Sequence, residues 1–532
     1  RPGGGGGGPP GRPHDTGPPA RTHRHGHGGT DTTAARTRSD PERAEHRRPG
    51  ALMDEHGTLF IGGRWVAPRT DQAIEVISPH TEEPIARVAA AGPPDVDDAV
   101  AAARRAFDEG PWPRLDPAER IETVRRLAGL YGERRDELAD VITAELGAPI
   151  SFARRAQVGL ALSTMNALAD IARNYAWQED RPGVYGRDVL LRKEPVGVVA
   201  AVIPWNMPQF LTITKVIPAL LAGCAVVLKP APESPLDALV LAALFEQAGL
   251  PPGVVNVVPA DRDTSAHLVA HPGIDKVSFT GSTAAGRQVA AACARNLTRV
   301  SLELGGKSAA IALDDADPAA VAAAVRLSGM GMAGQICNAL TRVLVPAARA
   351  DDHADALGAA LSAIRVADPA DPATEMGPLV TRRQQERVRR YIDAGVREGA
   401  RLVVGGTDLP AGLDRGWYVR PTVFSAVDPA MTVAREEIFG PVLAVIPYHD
   451  QNEAVRIAND TEYGLAGSVF TADTARGLDV ARQVRAGTFG VNQGYSMDPA
   501  APFGGVKSSG YGRELGREGL EGYLDIKSIS IA

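Results

Sequence analysis

The stretch VGVVAAVIPWNMPQFLTITKVIPALLAGCAVVLKPAPESPLDALVLAALFEQAGLPPGVVNVV, residues 196–258, reads as strand, helix, strand, helix, strand. Its strand segments, VGVVAAVI (196–203), CAVVLK (224–229) and VVNVV (254–258), are short and valine-rich. Continuous apolar runs of that length, bounded by turn residues, mark strands buried on both faces. The leucine-rich SPLDALVLAALFEQAGL between the last two has the length and composition of a helix. The rhythm continues through KVSFT (276–280), the helical STAAGRQVAAACARN and RVSLEL (299–304). Strands alternating with helices pair in parallel, with helices over both faces. The expected fold class is therefore α/β, built on a doubly wound parallel sheet with ligands beyond the carboxyl ends of its strands. The apolar run from Val196 to Leu228 is not a membrane span, because Pro204, Pro208, Lys215 and Pro218 interrupt it.

Upstream, LFIGGRWV and AIEVISP read as strands, and a helical block runs from about Asp95 to Ala176. In ETVRRLAGLYGERRDELADVI the apolar positions recur at three and four residues, the period of a helix. Downstream, a second α/β pattern contains VLVPA (343–347), a helix from Arg382 to Glu398, and strands at VLAVIPY and AGSVF. Pro182 to Lys193 reads as a protruding hairpin, and YLDIKSISIA as a last strand. Residues 1–52 are unlike the rest: they open RPGGGGGGPPGRP, contain His-Arg-His-Gly-His and hold almost no large apolar residue. Such a leader cannot offset its ordering entropy: either it is a disordered tail or the natural product begins at Met53.

Bulk properties exclude several classes of function. Across 532 residues the net charge is −7, which points away from nucleic acid and from acidic membrane surfaces. Three scattered cysteines (Cys224, Cys293, Cys337) suit neither a disulfide framework nor a zinc site, so no metal is expected and a reducing compartment is. No secretory signal opens the chain.

A few residues stand out chemically. Cys337 lies in the glycine-rich GMAGQICNALTRVLVP, where it is either a nucleophile or a small buried hydrophobe. Asn206 follows an apolar strand in IPWNMP, placed to donate to an oxyanion or to cap a turn. Glu303 ends VSLEL, either desolvated into a general base or turned to water at a sheet edge. FTGSTAAG joins a strand to a helix, whose first N–H groups suit a phosphate, although the full GxGxxG fingerprint is absent. Lys229 closes a strand in VVLKPAPESP, within reach of ribose hydroxyls.

The segments PWNMP, VVLKPAPESP, SFTGSTAAG, LELGGKS, GQICNALTR, EEIFGPV and PFGGVKSSGYGRELG occur in this order over residues 203–516. The set closely resembles the aldehyde dehydrogenase superfamily, from about Met53 to the C-terminus. The resemblance implies a dinucleotide-binding domain (53–176 and 196–307), a catalytic domain (308–508) and an oligomerisation arm (177–195 and 509–532). It also implies Cys337 as nucleophile, Glu303 as base for the hydrolytic water and Asn206 as oxyanion donor with the backbone N–H of Cys337. Lys215 and Glu514 resemble a proton-relay pair. Ile203, Trp205, Lys229, Glu233, Gly281, Ser282, Leu304, Glu437 and Phe439 resemble cofactor contacts.

What the resemblance implies is oxidation of an aldehyde to a carboxylic acid with NAD(P) through a cysteine thioester. One departure concerns the cofactor: Pro232 stands where many NAD-preferring relatives carry a ribose-binding Glu, and Glu233 is one place further on. NAD remains the expectation because no extra basic residue adjoins Lys229, with NADP left open. The alternatives are a CoA-acylating enzyme, against which Glu303 argues, and a semialdehyde dehydrogenase, for which GYSMDPAAPFGG offers no cationic anchor. Met165, Tyr175, Trp177, Tyr495 and Met497 are expected to line a tunnel for a medium-sized apolar aldehyde. The expected assembly is a cytoplasmic homodimer or homotetramer, with no membrane or nucleic-acid partner.

Overall fold

The computed structural model describes residues 54–494 and 497–531, so the expectations for residues 1–52, for Met53 and for Tyr495 lie outside the described residues. Two sheets dominate. The first has eight strands, and its centre is the stretch that decided the fold. Val198–Val202 pairs in parallel with Ala225–Lys229, which pairs in parallel with Val255–Val257. The chain then returns to the other side of the first strand, where Lys276–Thr280 pairs with it and with Arg299–Glu303, again in parallel. The winding therefore reverses between Val198–Val202 and Lys276–Thr280. That reversal opens a crevice at the strands' carboxyl ends, where an open α/β sheet takes its ligand. Short antiparallel strands close both edges: Gly510–Tyr511 beside Arg299–Glu303, and the hairpin Leu59–Ile61 with Arg64–Val66 beyond Val255–Val257.

The helix Pro208–Ala222 is buried along its whole length, as its sequence PQFLTITKVIPALLA requires. Pro208 begins it, at a position with no N–H to satisfy, and Gly223 ends it at φ +99°, a left-handed conformation that favours glycine. The second sheet has seven strands, in the spatial order Arg401–Val404, Thr422–Ser425, Val442–Tyr448, Leu340–Pro346, Ser308–Ala312, Ala466–Phe470, Thr488–Val491. All neighbours are parallel except the first pair. One of its inner strands, SAAIA, escapes sequence reading because alanine and serine carry no strand preference. A third sheet joins the hairpin Gln178–Pro182 and Asp188–Pro195 to Leu524–Ser530. The hairpin is longer than the predicted Pro182 to Lys193, and its tip residues Val184 and Tyr185 are exposed.

The helical block is divided. Pro93–Asp108, Pro117–Glu133 and Arg135–Leu146 are separate helices, the second started by Asp116, which accepts from the Ala118 N–H at 2.9 Å. The last runs from Ile150–Phe152 through a π-helical segment, Ala153–Gly159, into Leu160–Arg173. Nothing in the three-and-four period predicts that widened turn. Among the described residues no helix is long and apolar enough to cross a membrane.

Gly223→Ala is expected to destabilise the protein by about 1–2 kcal/mol, the cost of a left-handed non-glycine residue. A calorimetric unfolding midpoint equal to the parent's would show that the helix end relaxes instead.

Candidate active site

The crevice at the winding reversal holds a cavity of about 210 Å³, lined by Pro204, Trp205, Asn206, Thr280, Gly281, Ser282, Leu304, Gly305, Cys337, Gln384, Arg387, Glu437 and Phe439. Six of the nine sequence-predicted cofactor residues are among them. Ile203 lies behind the wall, where its N–H donates to the Lys229 carbonyl at 3.0 Å. Lys229 and Glu233 lie outside this lining. Burial pushes the Lys229 ammonium down to about 8, against the pull of Glu233 and Asp261. Glu233 stands 4.0 Å from Arg383. The helix Thr283–Asn296 starts at the crevice with Ser282 as its cap, Ser282 Oγ accepting from the Ala285 N–H at 3.2 Å.

The wall opposite Trp205 is a strained turn. Phe439 has φ +61° and meets the Trp205 ring edge-on at 5.5 Å. Two side chains that sequence reading missed hold it. Gln384 Nε2 donates to the Phe439 carbonyl at 2.7 Å, and Arg387 donates to the Glu437 carbonyl at 2.6 Å. Their place on the strongly polar helix Arg382–Arg397 gave no signal of this role. Glu437 accepts from the Gly306 N–H at 3.0 Å. A methyl group on Gly305 would strike the Glu437 carboxylate, and one on Gly306 would lie 2.5 Å from the Cys337 carbonyl oxygen. The two glycines of LELGGKS are therefore a close-approach requirement. Burial raises the Glu437 pKa, against the Gly306 N–H and the charges of Arg387 and Lys307.

Cys337 follows three consecutive left-handed residues, Met332, Ala333 and Gly334, with φ of 49°, 53° and 73°. Gln335 fixes this loop: its Nε2 donates to the Met332 carbonyl at 2.8 Å, and its Oε1 accepts from the Val380 N–H at 3.1 Å. Asn206 is buried and donates through Nδ2 to the Gln335 carbonyl at 3.0 Å. The predicted oxyanion donor and the predicted nucleophile are thus tied together across 129 residues of sequence. Burial pushes the Cys337 thiol up to about 12, and Glu303, Glu437 and Glu514 add to the rise, against one hydrogen bond from the Asn338 backbone. The resting sulfur is a protonated thiol.

Glu303 ends its strand 4% exposed, which excludes the water-facing alternative. Neither carboxylate oxygen has a hydrogen-bond partner among the described residues. A methyl group on Gly504, in the PFGG segment, would lie 2.7 Å from its Oε1. Burial holds the carboxyl well above its ordinary pKa, and Glu514 reinforces that against Lys215 and Arg513. Behind it Lys215 and Glu514 form a buried ion pair. Lys215 Nζ also donates to Thr280 Oγ1 at 2.7 Å, and Thr214 Oγ1 donates to Glu514 at 2.8 Å. The structure therefore brings together all five sequence-predicted catalytic residues.

The tunnel expectation needs correction. Tyr175 donates to Glu521 at 3.2 Å under the Arg517 guanidinium, while Trp177 donates to the Ala172 carbonyl at 3.1 Å under Arg120. Tyr175 serves the junction with the C-terminal segment and Trp177 the end of its own helix, and neither lines the cavity that contains Cys337. Their polar partners lie far away in sequence or in a helix end, so their aromatic character alone misled. Among the described residues no group of three or more His, Cys, Asp or Glu side chains is gathered to hold a metal ion.

The comparisons with known proteins agree with this geometry. The aldehyde dehydrogenase family model matches residues 65–529. The chain belongs to the aldehyde dehydrogenase family. Geranial dehydrogenase from Castellaniella defragrans is 48% identical over 475 residues, covering 89% of this chain and 98% of that one. The 3-succinoylsemialdehyde-pyridine dehydrogenase of a Pseudomonas species is 44% identical over 480 residues, covering 90% and 99%. Among solved structures, a Mycobacterium tuberculosis aldehyde dehydrogenase complexed with NAD+ superposes with a TM-score of 0.88 at 46% identity, covering 90% and 99%. An aldehyde dehydrogenase C variant from Pseudomonas syringae, complexed with NAD+ and octanal, gives 0.86 at 44% identity, covering 89% and 96%.

A thiol raised this far makes a direct forecast for the free dehydrogenase. Alkylation of Cys337 by iodoacetamide, followed by mass spectrometry, should quicken about tenfold per pH unit between pH 7 and 9, as the thiolate fraction grows. A plateau below pH 8 would mean that the sulfur is already ionised.

Proposed function

We propose that this aldehyde dehydrogenase oxidises a medium-sized apolar aldehyde to its carboxylic acid, with NAD as the oxidant and water as the final nucleophile. The observation that carries the reading is Cys337 and Asn206 on the wall of one crevice, with the orphaned carboxylate of Glu303 near enough to Cys337 to raise its thiol pKa. NAD suits that crevice on the donor set present: the start of the helix Thr283–Asn296 for the pyrophosphate, Glu437 for the nicotinamide ribose, and Trp205 and Phe439 as flanking rings. The NAD+ complexes of the two solved relatives support the same choice.

Cys337 Sγ bonds to the aldehyde carbon as its proton passes to the Glu303 carboxylate, and the carbonyl oxygen becomes an oxyanion facing the Asn206 amide and the Cys337 N–H. A group of donors fixed before the reaction stabilises that charge without having to reorganise. NAD, when bound, supplies the hydride acceptor. Cys337 then carries the acyl group as a thioester, the form that splits one hard oxidation into two easier steps. Glu303 takes a proton from water as the water attacks that thioester, and Cys337 leaves with the acid released. Its raised pKa makes Glu303 a strong enough base for this task. Lys215 and Glu514, adjoining Glu303 electrostatically, form the outlet for the proton.

Octanal and geranial, named for two of the relatives, are apolar aldehydes of the size proposed. The exposed hairpin and the strand Leu524–Ser530, with Ile526 and Ile529 open to solvent, support arms between subunits of a dimer or tetramer. Three unpaired cysteines favour the cytoplasm.

The testing experiment is reduction of NAD by the purified protein with octanal and geranial, without CoA. Stoichiometric acid is the expected product; turnover that starts only on adding CoA would reverse the role given to Glu303. Glu303→Gln should give one burst of reduced cofactor per site and then stall, whereas steady turnover at the parent rate would remove Glu303 as base. Asn206→Ala should slow the burst itself by about a hundredfold or more, and an unchanged burst rate would remove the amide from the oxyanion site.

A further inference from the structure

We propose that Gln157 is a positioning residue for Asn206, acting on the oxyanion step from outside the crevice; the proposal rests on the role given above to Asn206. Gln157 sits in the π-helical segment Ala153–Gly159 and is fully buried. The other inward-facing residues of this helix are apolar apart from Thr164, whose Oγ1 has no partner among the described residues either. An amide on that face costs desolvation at both ends. Only one end is repaid: Nε2 donates to the backbone carbonyl of Asn206 at 2.8 Å, while Oε1 has no partner among the described residues. Methionine or leucine would spare the Oε1 orphan but leave the buried Asn206 carbonyl without its donor, so the glutamine is matched to that one carbonyl. π-helical turns are rare and concentrate at functional sites.

What the bond does follows from where the Asn206 carbonyl sits. Asn206 lies between the strand Val198–Val202 and the helix Pro208–Ala222, and the first bond of that helix, Leu211 N–H to Met207, begins one residue later. The Asn206 carbonyl therefore belongs to neither ladder, and Gln157 holds the peptide that joins Asn206 to Met207. The side chain of the same residue donates to the Gln335 carbonyl, two residues before Cys337. Gln157, Asn206 and Gln335 thus form one relay of hydrogen bonds from the helix to the nucleophile's loop. Releasing the peptide lets the amide turn away from the developing oxyanion, and misplacements of about 1 Å can cost about a hundredfold in rate.

Single-turnover acylation with octanal and NAD tests this, alongside NAD affinity by titration calorimetry and the unfolding midpoint. Gln157→Met, matched in size but without a donor, should slow acylation by about tenfold to a hundredfold while deacylation and NAD affinity stay put; the midpoint should fall only slightly, because the Asn206 carbonyl loses its donor. On an Asn206→Ala background the same change should add nothing further, since the two act through one amide. Gln157→Glu restores a donor only while its carboxyl is protonated. It should acylate near the parent rate at acid pH and lose that rate as pH rises, along a limb the parent lacks. Parent-rate acylation by Gln157→Met, with Asn206→Ala still slow, overturns the proposal alone. So does a Gln157→Glu profile identical to the parent's, or a loss in both variants that merely follows a lowered midpoint. If Asn206→Ala itself acylates normally, the underlying reading of Asn206 fails instead.

Discussion

Four residues, Leu304 to Lys307, carry the chain from the last strand of the first sheet's parallel core to an inner strand of the second. Every part of the site is fastened to this bridge. The Leu304 N–H donates to the Ser509 carbonyl, and Ser509 Oγ donates back to the Gly305 carbonyl at 2.6 Å. The Lys307 carbonyl accepts from the buried Arg342 at 2.8 Å, and Arg342 spends its other donors on the carbonyls of Ile457 and Ala458. Glu437 and the carbonyl of Cys337 both press on the glycines. A bridge with side chains in its middle would push the nucleophile and the cofactor wall off the first sheet. The spacing between the two halves of the site is thus set by backbone alone, the stiffest ruler a protein has.

The electrostatics follow from the same crowding. Glu303, Glu437 and Glu514 share a small buried volume with Cys337, and one buried ammonium, Lys215, stands among them. Like charges drawn together out of water cannot all ionise, so protons are retained where chemistry needs them to move. The raised thiol and the raised carboxyl are two results of one arrangement. Glu303 is one of the charges that raise the thiol, so a change at Glu303 alters the sulfur as well.

Much of this was legible in the sequence because short-range rules govern it. Valine runs between helices fix a parallel sheet, and the reversal of its winding fixes the crevice. What presses on the glycines at 305 and 306 came from residues 337 and 437, and the remainder likewise depended on distant partners. Gln157 looks like any helical glutamine until the Asn206 carbonyl is placed beside it. Gln384 and Arg387 carried no signal in sequence because the turn they hold lies some fifty residues away. Tyr175 and Trp177 read as tunnel walls because an aromatic pair carries no mark of which side it faces. The ionisation of Cys337 was the hardest of all, since it is set by burial first and then by three carboxylates from three separate segments.

That ionisation has a bearing on the lifetime of the protein. Peroxide attacks the thiolate, and the path from sulfenic to sulfinic and sulfonic acid becomes irreversible at its second stage. A sulfur whose thiolate is disfavoured, by burial first and by the neighbouring carboxylates second, is a slower target for that attack.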